Sequence, residues 1–263
     1  MNYRVLAISS LLVVTASSFA FDTIGTKWGL GPNVATDLAG NEGTPGSFTW
    51  SIMGAGLGTT GFENHGGLSG NFGALIGGSS TTEEVAMLNS VFNLWADVSG
   101  LVNLGQVADS GVAGGASQAS GGHLGDIRVG VFNAGFGSNV LAHAFQPGTQ
   151  ALFGSGGTIL GDLHVNGSLT WADLPNDPNP GDNTFDLFTV LLHEVGHSLG
   201  LDHSGVTGSI MEPVYAGSRR SLHADDIAGI QFIYGNQPVP EPATMAGLGV
   251  GLAWLARRRK KNA

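Results

Sequence analysis

The chain has 263 residues, 42% of them hydrophobic, with 13 Phe and 5 Trp. That is enough for one well-buried domain and excludes a disordered composition. Without cysteine, disulfides, thiolate metal sites and a cysteine nucleophile are excluded, so any metal rests on His, Asp, Glu or backbone oxygen. The net charge is −10, and residues 21–240 hold only four basic side chains (Lys27, Arg128, Arg219, Arg220), an acidic body that argues against a nucleic-acid partner.

Residues 1–20 read as a secretory signal. Arg4 gives a positive start, 5–14 an apolar run too short to span a bilayer, and Ser18-Phe19-Ala20 a small-x-small cleavage site. The folded domain is expected over 21–236. Glycine, 44 residues in all, gathers at 54–58 and 111–125 and predicts long irregular connections. A strand is predicted over 48–53. Ser80 to Glu84 offers a capping box, and Val85, Leu88, Val91, Phe92 and Trp95 recur at helical spacing, giving a helix over 82–97. Strand composition follows at 101–107, 126–132, 140–145 and 159–165. Pro175, Pro178, Pro180 and Gly181 make 173–186 a loop, acidic enough to be a further candidate for calcium, though a solvated linker fits it better. Asn183 or Thr184 caps the next helix, 185–199, which ends at Gly200; a last helix fits 224–234. At the end of the chain, in 237–263, Val239-Pro240-Glu241-Pro242 leads into an apolar run at 243–256 and a basic cluster at 257–261. The run is shorter than the about 20 residues that cross a bilayer.

The chemistry lies in His193-Glu194-Val195-Gly196-His197-Ser198-Leu199-Gly200-Leu201-Asp202-His203. Residues four apart share a helix face, so His193 and His197 point two imidazoles at one place. Gly200 can take positive φ and turn the chain so that His203 supplies a third nitrogen. Three neutral imidazoles leave Zn²⁺ an open position for water. Glu194, beside His193, is placed to take that water's proton and hand it to a leaving amine.

His-Glu-x-x-His-x-x-Gly-x-x-His resembles the signature of the metzincin zinc peptidases, and Ser209-Ile210-Met211-Glu212-Pro213 resembles that clan's Met-turn. Within the clan the chain is similar to the matrixins. Asp202 before the third His, Pro213-Val214-Tyr215, Leu222-His223-Ala224-Asp225-Asp226-Ile227, and Leu141-Ala142-His143-Ala144-Phe145 with Pro147-Gly148 all fit, over roughly 81–235. The resemblance implies an α+β fold with a twisted, mostly parallel five-stranded sheet. It also implies an active-site helix and a small C-terminal subdomain after Gly200. It implies a secreted zinc-dependent endopeptidase with His193, His197 and His203 on the metal, Glu194 as base and Met211 as an apolar floor. Leu141 and Ala142 would lie in an edge strand that pairs with an extended substrate. Pro213 and Tyr215 would wall the pocket after the cut, with Val190 and Leu192 lining it.

A second, structural zinc is implied at His143 and His164, and calcium at Asp126 and Asp162. The His-x-Asp loop that supplies the other zinc ligands in the family is missing, since only 133–139 joins the strands. His65 and His123, in glycine-rich loops, read as non-ligands. The family's propeptide cysteine is also absent, so the enzyme is either made active or held latent by another group. The tail resembles the PEP-CTERM sorting signal, which implies signal peptidase and exosortase processing. Membrane association would be transient, with release to the envelope or extracellular matrix of a Gram-negative bacterium. Two rival readings use the same fold: a calcium-stabilised, non-catalytic matrix protein, against which Glu194 argues, and an esterase or amidase.

Overall fold

The computed structural model describes residues 20–59, 65, 67–77, 81–114, 116, 125–137, 139–153, 159–178 and 181–237. The signal at 1–19, the Ser80 cap, His123 and the tail beyond 237 lie outside them. The elements run β1 (Thr26–Trp28), β2 (Ala35–Asp37), β3 (Gly46–Ile52), a 3-10 turn (Phe72–Ala74) and α1 (Thr81–Ala96). Then come β4 (Leu101–Gln106), β5 (Ile127–Phe132), β6 (Ala142–Ala144), α2 (Gln150–Phe153) and β7 (Leu163–Asn166). The chain continues through β8 (Thr170–Ala172), β9 (Thr184–Asp186), α3 (Leu187–Ser198) and α4 (Ala224–Tyr234).

The main sheet has five strands in the order β4-β3-β5-β7-β6, all parallel except the edge strand β6. This is the α+β architecture expected from the sequence. Its central strand β5 is buried at every position, as a parallel strand covered on both faces must be. On one side Phe48 and Trp50 of β3 meet Phe92 of α1, with ring centroids 5.2 and 5.3 Å apart. Trp95 of α1 donates from its indole N–H to the Leu192 carbonyl at 3.1 Å, which ties α1 to α3. The core is therefore the layer between the sheet and these two helices.

The N-terminal segment belongs to the same body. Trp28 is buried and its indole donates to the Ser198 carbonyl at 2.8 Å. The Ile24 N–H donates to the Gly200 carbonyl at 2.9 Å, and the Asp202 N–H to the Asp22 carbonyl at 3.0 Å. The far end of α3 and the turn after it thus rest on residues 22–28.

Local expectations shift at three places. The strand read at 159–165 begins only at Leu163, because Ile159 to Asp162 form a turn in which Gly161 takes φ +89°. The strand read at 140–145 shortens to β6. The loop at 173–186 ends in a short strand, β9, parallel to β8. The cap of α3 is consequently Asp186, which accepts from the Thr189 N–H at 3.1 Å and hydroxyl at 2.6 Å, in place of Asn183 or Thr184. Among the described residues no helix is long and apolar enough to cross a membrane.

Candidate active site

α3 carries His193 and His197 on one face, and their Nε2 atoms stand 3.1 Å apart. The chain leaves the helix through Gly200 at φ +104°, where a Cβ would meet the Thr26 carbonyl oxygen at 2.5 Å. The turn brings His203 round, with ring centroids 5.3 Å from His193 and 4.8 Å from His197. One nitrogen from each of the three lies within 4.8 Å of the others.

The outer nitrogens are tied down. His193 Nδ1 donates to the Ile210 carbonyl at 2.7 Å, and His197 Nδ1 to the Leu201 carbonyl at 2.8 Å. This fixes the ring proton on Nδ1 and leaves each Nε2 with a lone pair turned to the common point. Burial, and then the charges of His197 and His203, push the His193 imidazole down to about 3. Burial likewise lowers His197. Both rings are neutral at neutral pH, as ligation requires. The spacing also suits zinc, whose tetrahedral edge is about 3.3 Å for Zn–N bonds of about 2.0 Å. Glu194 is 6% exposed, its Oε2 has no protein hydrogen-bond partner, and burial pushes its carboxyl up to about 8.

The floor is built by the C-terminal subdomain. Met211 is buried under α3, and a Cβ on Gly196 would stand 2.3 Å from its sulfur. The Asp226 carboxylate accepts from the N–H groups of Ile210 (2.8 Å), Met211 (3.1 Å) and His223 (2.7 Å), so the start of α4 holds the turn. Tyr215 accepts through its hydroxyl from the Asp186 N–H at 3.0 Å and packs edge-on against Phe185, 5.4 Å between centroids. Pro213 beside it is exposed, Val190 and Leu192 are buried in α3, and Ala142 and Leu141 lie at the β6 edge. Asp173 and Asp186 of the acidic stretch pair with Arg220.

His143 and His164 are register partners across β6 and β7. His65, which the sequence sets aside as a non-ligand, joins them, and one nitrogen of each lies within 4.8 Å of the others. Asp126 and Asp162 fall in neither histidine group. Asp126 accepts from the Asn33 N–H (2.5 Å), Thr49 N–H (2.7 Å) and Thr49 hydroxyl (2.8 Å), and so pins the N-terminal segment to β3. Asp162 is buried in the turn before β7. The residues that sequence reasoning overlooks are His65 and the Asp186 cap.

The matrixin family matches residues 79–235, and the PEP-CTERM protein-sorting motif matches residues 238–260. Karilysin of Tannerella forsythia is 35% identical over 156 residues, covering 59% of this chain and 29% of its own length. Human neutrophil collagenase is 40% identical over 121 residues, 42% of this chain and 23% of its own. The hatching enzyme of Paracentrotus lividus is 36% identical over 176 residues, 63% of this chain and 25% of its own. The chain thus spans about a quarter of the length of these relatives. With three converging imidazoles on α3 and its turn, a buried carboxyl beside them and a Met under the helix, the chain belongs to the matrixin family.

Proposed function

We propose that this chain is an exported zinc-dependent endopeptidase, with His193, His197 and His203 as metal ligands and Glu194 as general base. The observation that carries it is the pairing of lone-pair-bearing, desolvated imidazoles with an unpartnered buried carboxyl one residue away. Bound zinc supplies a Lewis acid that activates water and polarises the scissile carbonyl. Glu194 takes the water's proton on its free oxygen and delivers it to the leaving amine. The β6 edge offers backbone N–H and C=O groups to an extended peptide, and Tyr215, held to the start of α3, borders the pocket beyond the cut. A peptide is favoured over a small ester because an open strand edge serves an extended backbone.

The test is cleavage of a fluorogenic peptide by wild type and Glu194→Gln, with metal content measured on both. The variant is expected to keep its catalytic zinc and lose about 10²–10⁴-fold in kcat/KM. Equal, chelator-insensitive signal from both proteins would favour the non-catalytic matrix reading.

For the sorting motif at 238–260, we propose export, signal-peptidase cleavage after Ala20 and removal of the tail by an exosortase. Intact-mass analysis of the extracellular protein is expected to find a chain starting at Phe21 and lacking the basic end. A released form that retains both ends would contradict this.

A further inference from the structure

We infer that the outer face of β4, together with the β1–β2 loop, is a membrane-docking surface that lies on the bilayer until the C-terminal tail is removed. This contact rests on the tail processing proposed above, with the apolar run at 243–256 held in the membrane until an exosortase cuts it off.

Alternation along β4 sorts its side chains between the two faces of the sheet. Asn103 donates to Asn89 at 3.2 Å and to Asn93 at 2.8 Å, so it faces α1. Val102 and Leu104 therefore point to the other face, where they are 49% and 50% exposed. Val102 pairs in register with Ser47 of β3. The Ser47 hydroxyl accepts from the Gly31 N–H at 2.8 Å, which brings the β1–β2 loop over that same face. The loop carries Leu30 and Val34, 67% and 42% exposed. Residues 29–36 and 101–108 hold no charged side chain, within a chain of net charge −10. Four protruding aliphatic side chains without a charge among them suit a lipid surface. β4 is a poor partner for a further strand, because its ladder with β3 shifts register near Gly105, which takes φ +93°.

The bilayer is selected by where the chain leaves this face. Gly100, the residue before β4, donates to the Gly235 carbonyl at 2.8 Å, and Gln237 donates to the Ala96 carbonyl at 3.4 Å. Only residues 238–242 separate Gln237 from the apolar run. Five residues reach at most about 18 Å, less than half the breadth of about 40 Å of a domain this size. The foot of β4 must then lie at the bilayer while the run is in it. β6, whose backbone is offered to substrate, forms the opposite edge of the sheet, four strand spacings or about 19 Å away. A domain held by its tail thus keeps its substrate edge turned to the surroundings.

The chain has no cysteine, so single thiols at Leu30→Cys, Leu104→Cys and the control Val140→Cys each report one place. Val140 is also apolar and exposed, but it precedes β6 at the other edge. Each full-length variant is labelled with a nitrobenzoxadiazole dye, reconstituted in phosphatidylcholine vesicles and floated. The chain is expected to float, with dye emission at positions 30 and 104 shifted to the blue and shielded from aqueous iodide, and unshifted at position 140. Flotation with all three positions equally open to iodide would overturn the docking surface but not the processing of the tail. A chain that does not float would remove the membrane-held tail and the docking surface with it. A blue shift without vesicles that grows with protein concentration would give the face to a second copy of the chain and overturn the lipid contact.

Discussion

Among single residues, Gly196 carries a constraint that its neighbours in the motif hide. It lies within α3 facing the Met211 sulfur, so a methyl group there must displace the floor or the helix. Gly196→Ala is expected to lower stability by about 1–3 kcal/mol, the usual cost of overpacking, seen as a lower midpoint in thermal unfolding. Adding Met211→Ala should recover part of the loss, and strict additivity in the double variant would show that the two do not touch. His193, Glu194 and His197 were legible in the sequence because helical geometry is local: positions four apart meet whatever the rest of the chain does. His203, beyond the end of α3, was legible from the turn that Gly200 permits. His65 was not legible. Its partner His164 is 99 residues away, and a histidine among glycines carries no periodicity to say what it will face. The only trace was the 133–139 connection, which lacks the family's usual ligands and whose Ala134 and Gly135 turn out to seat His65.

The central strand β5 depends on one buried ion pair. Arg128 is 1% exposed and makes two bonds to Asp109, Nε to Oδ2 at 2.6 Å and a second nitrogen to Oδ1 at 2.7 Å. The same guanidinium donates to the Val112 carbonyl at 2.6 Å. Burial pushes the Asp109 carboxyl up, but the hydrogen bonds from Arg128, Gly111 and Ser51 outweigh it and hold it below its ordinary value. A folded-state pKa below the unfolded one gives stability that is complete above about pH 4 and lost as pH falls through the folded value. Asp109→Asn is expected to cost about 3–5 kcal/mol at neutral pH, since it leaves a buried guanidinium without its counter-charge. Part of wild type's acid sensitivity should vanish in the variant. Denaturant melts at pH 7 and pH 3 check both, and a variant as stable as wild type at pH 7 would remove the pair from this role. Of the elements, α1, α4 and the strands of the main sheet were legible from periodicity and composition. The β8–β9 pair was not, because three-residue strands beside prolines hold too little pattern, and Asp186 reads as one acid among several until its oxygens are seen on Thr189 and Arg220.

Across the whole molecule, the span that resembles matrixins and the unit that folds are different lengths. The match begins at residue 79, yet β3 is formed by Gly46–Ile52 and lies between β4 and β5. A chain beginning at Thr81 would lose that strand together with Phe48 and Trp50. It is expected to show no cooperative unfolding transition by circular dichroism, whereas a chain starting at Phe21 should melt in one step. A cooperative melt from the shorter chain would mean that β4 and β5 can pair without β3.

The N-terminal segment under the Gly200 turn also sets a timetable. Trp28 and the Ser198 carbonyl it supports are separated by 170 residues, so the last part of the zinc-binding turn cannot settle until nearly the whole domain has been made. In a chain made N-terminus first, the supporting segment appears early and waits for the turn. The histidine cluster of α3 and its turn is then a late product of folding, completed only when the two ends of the domain meet.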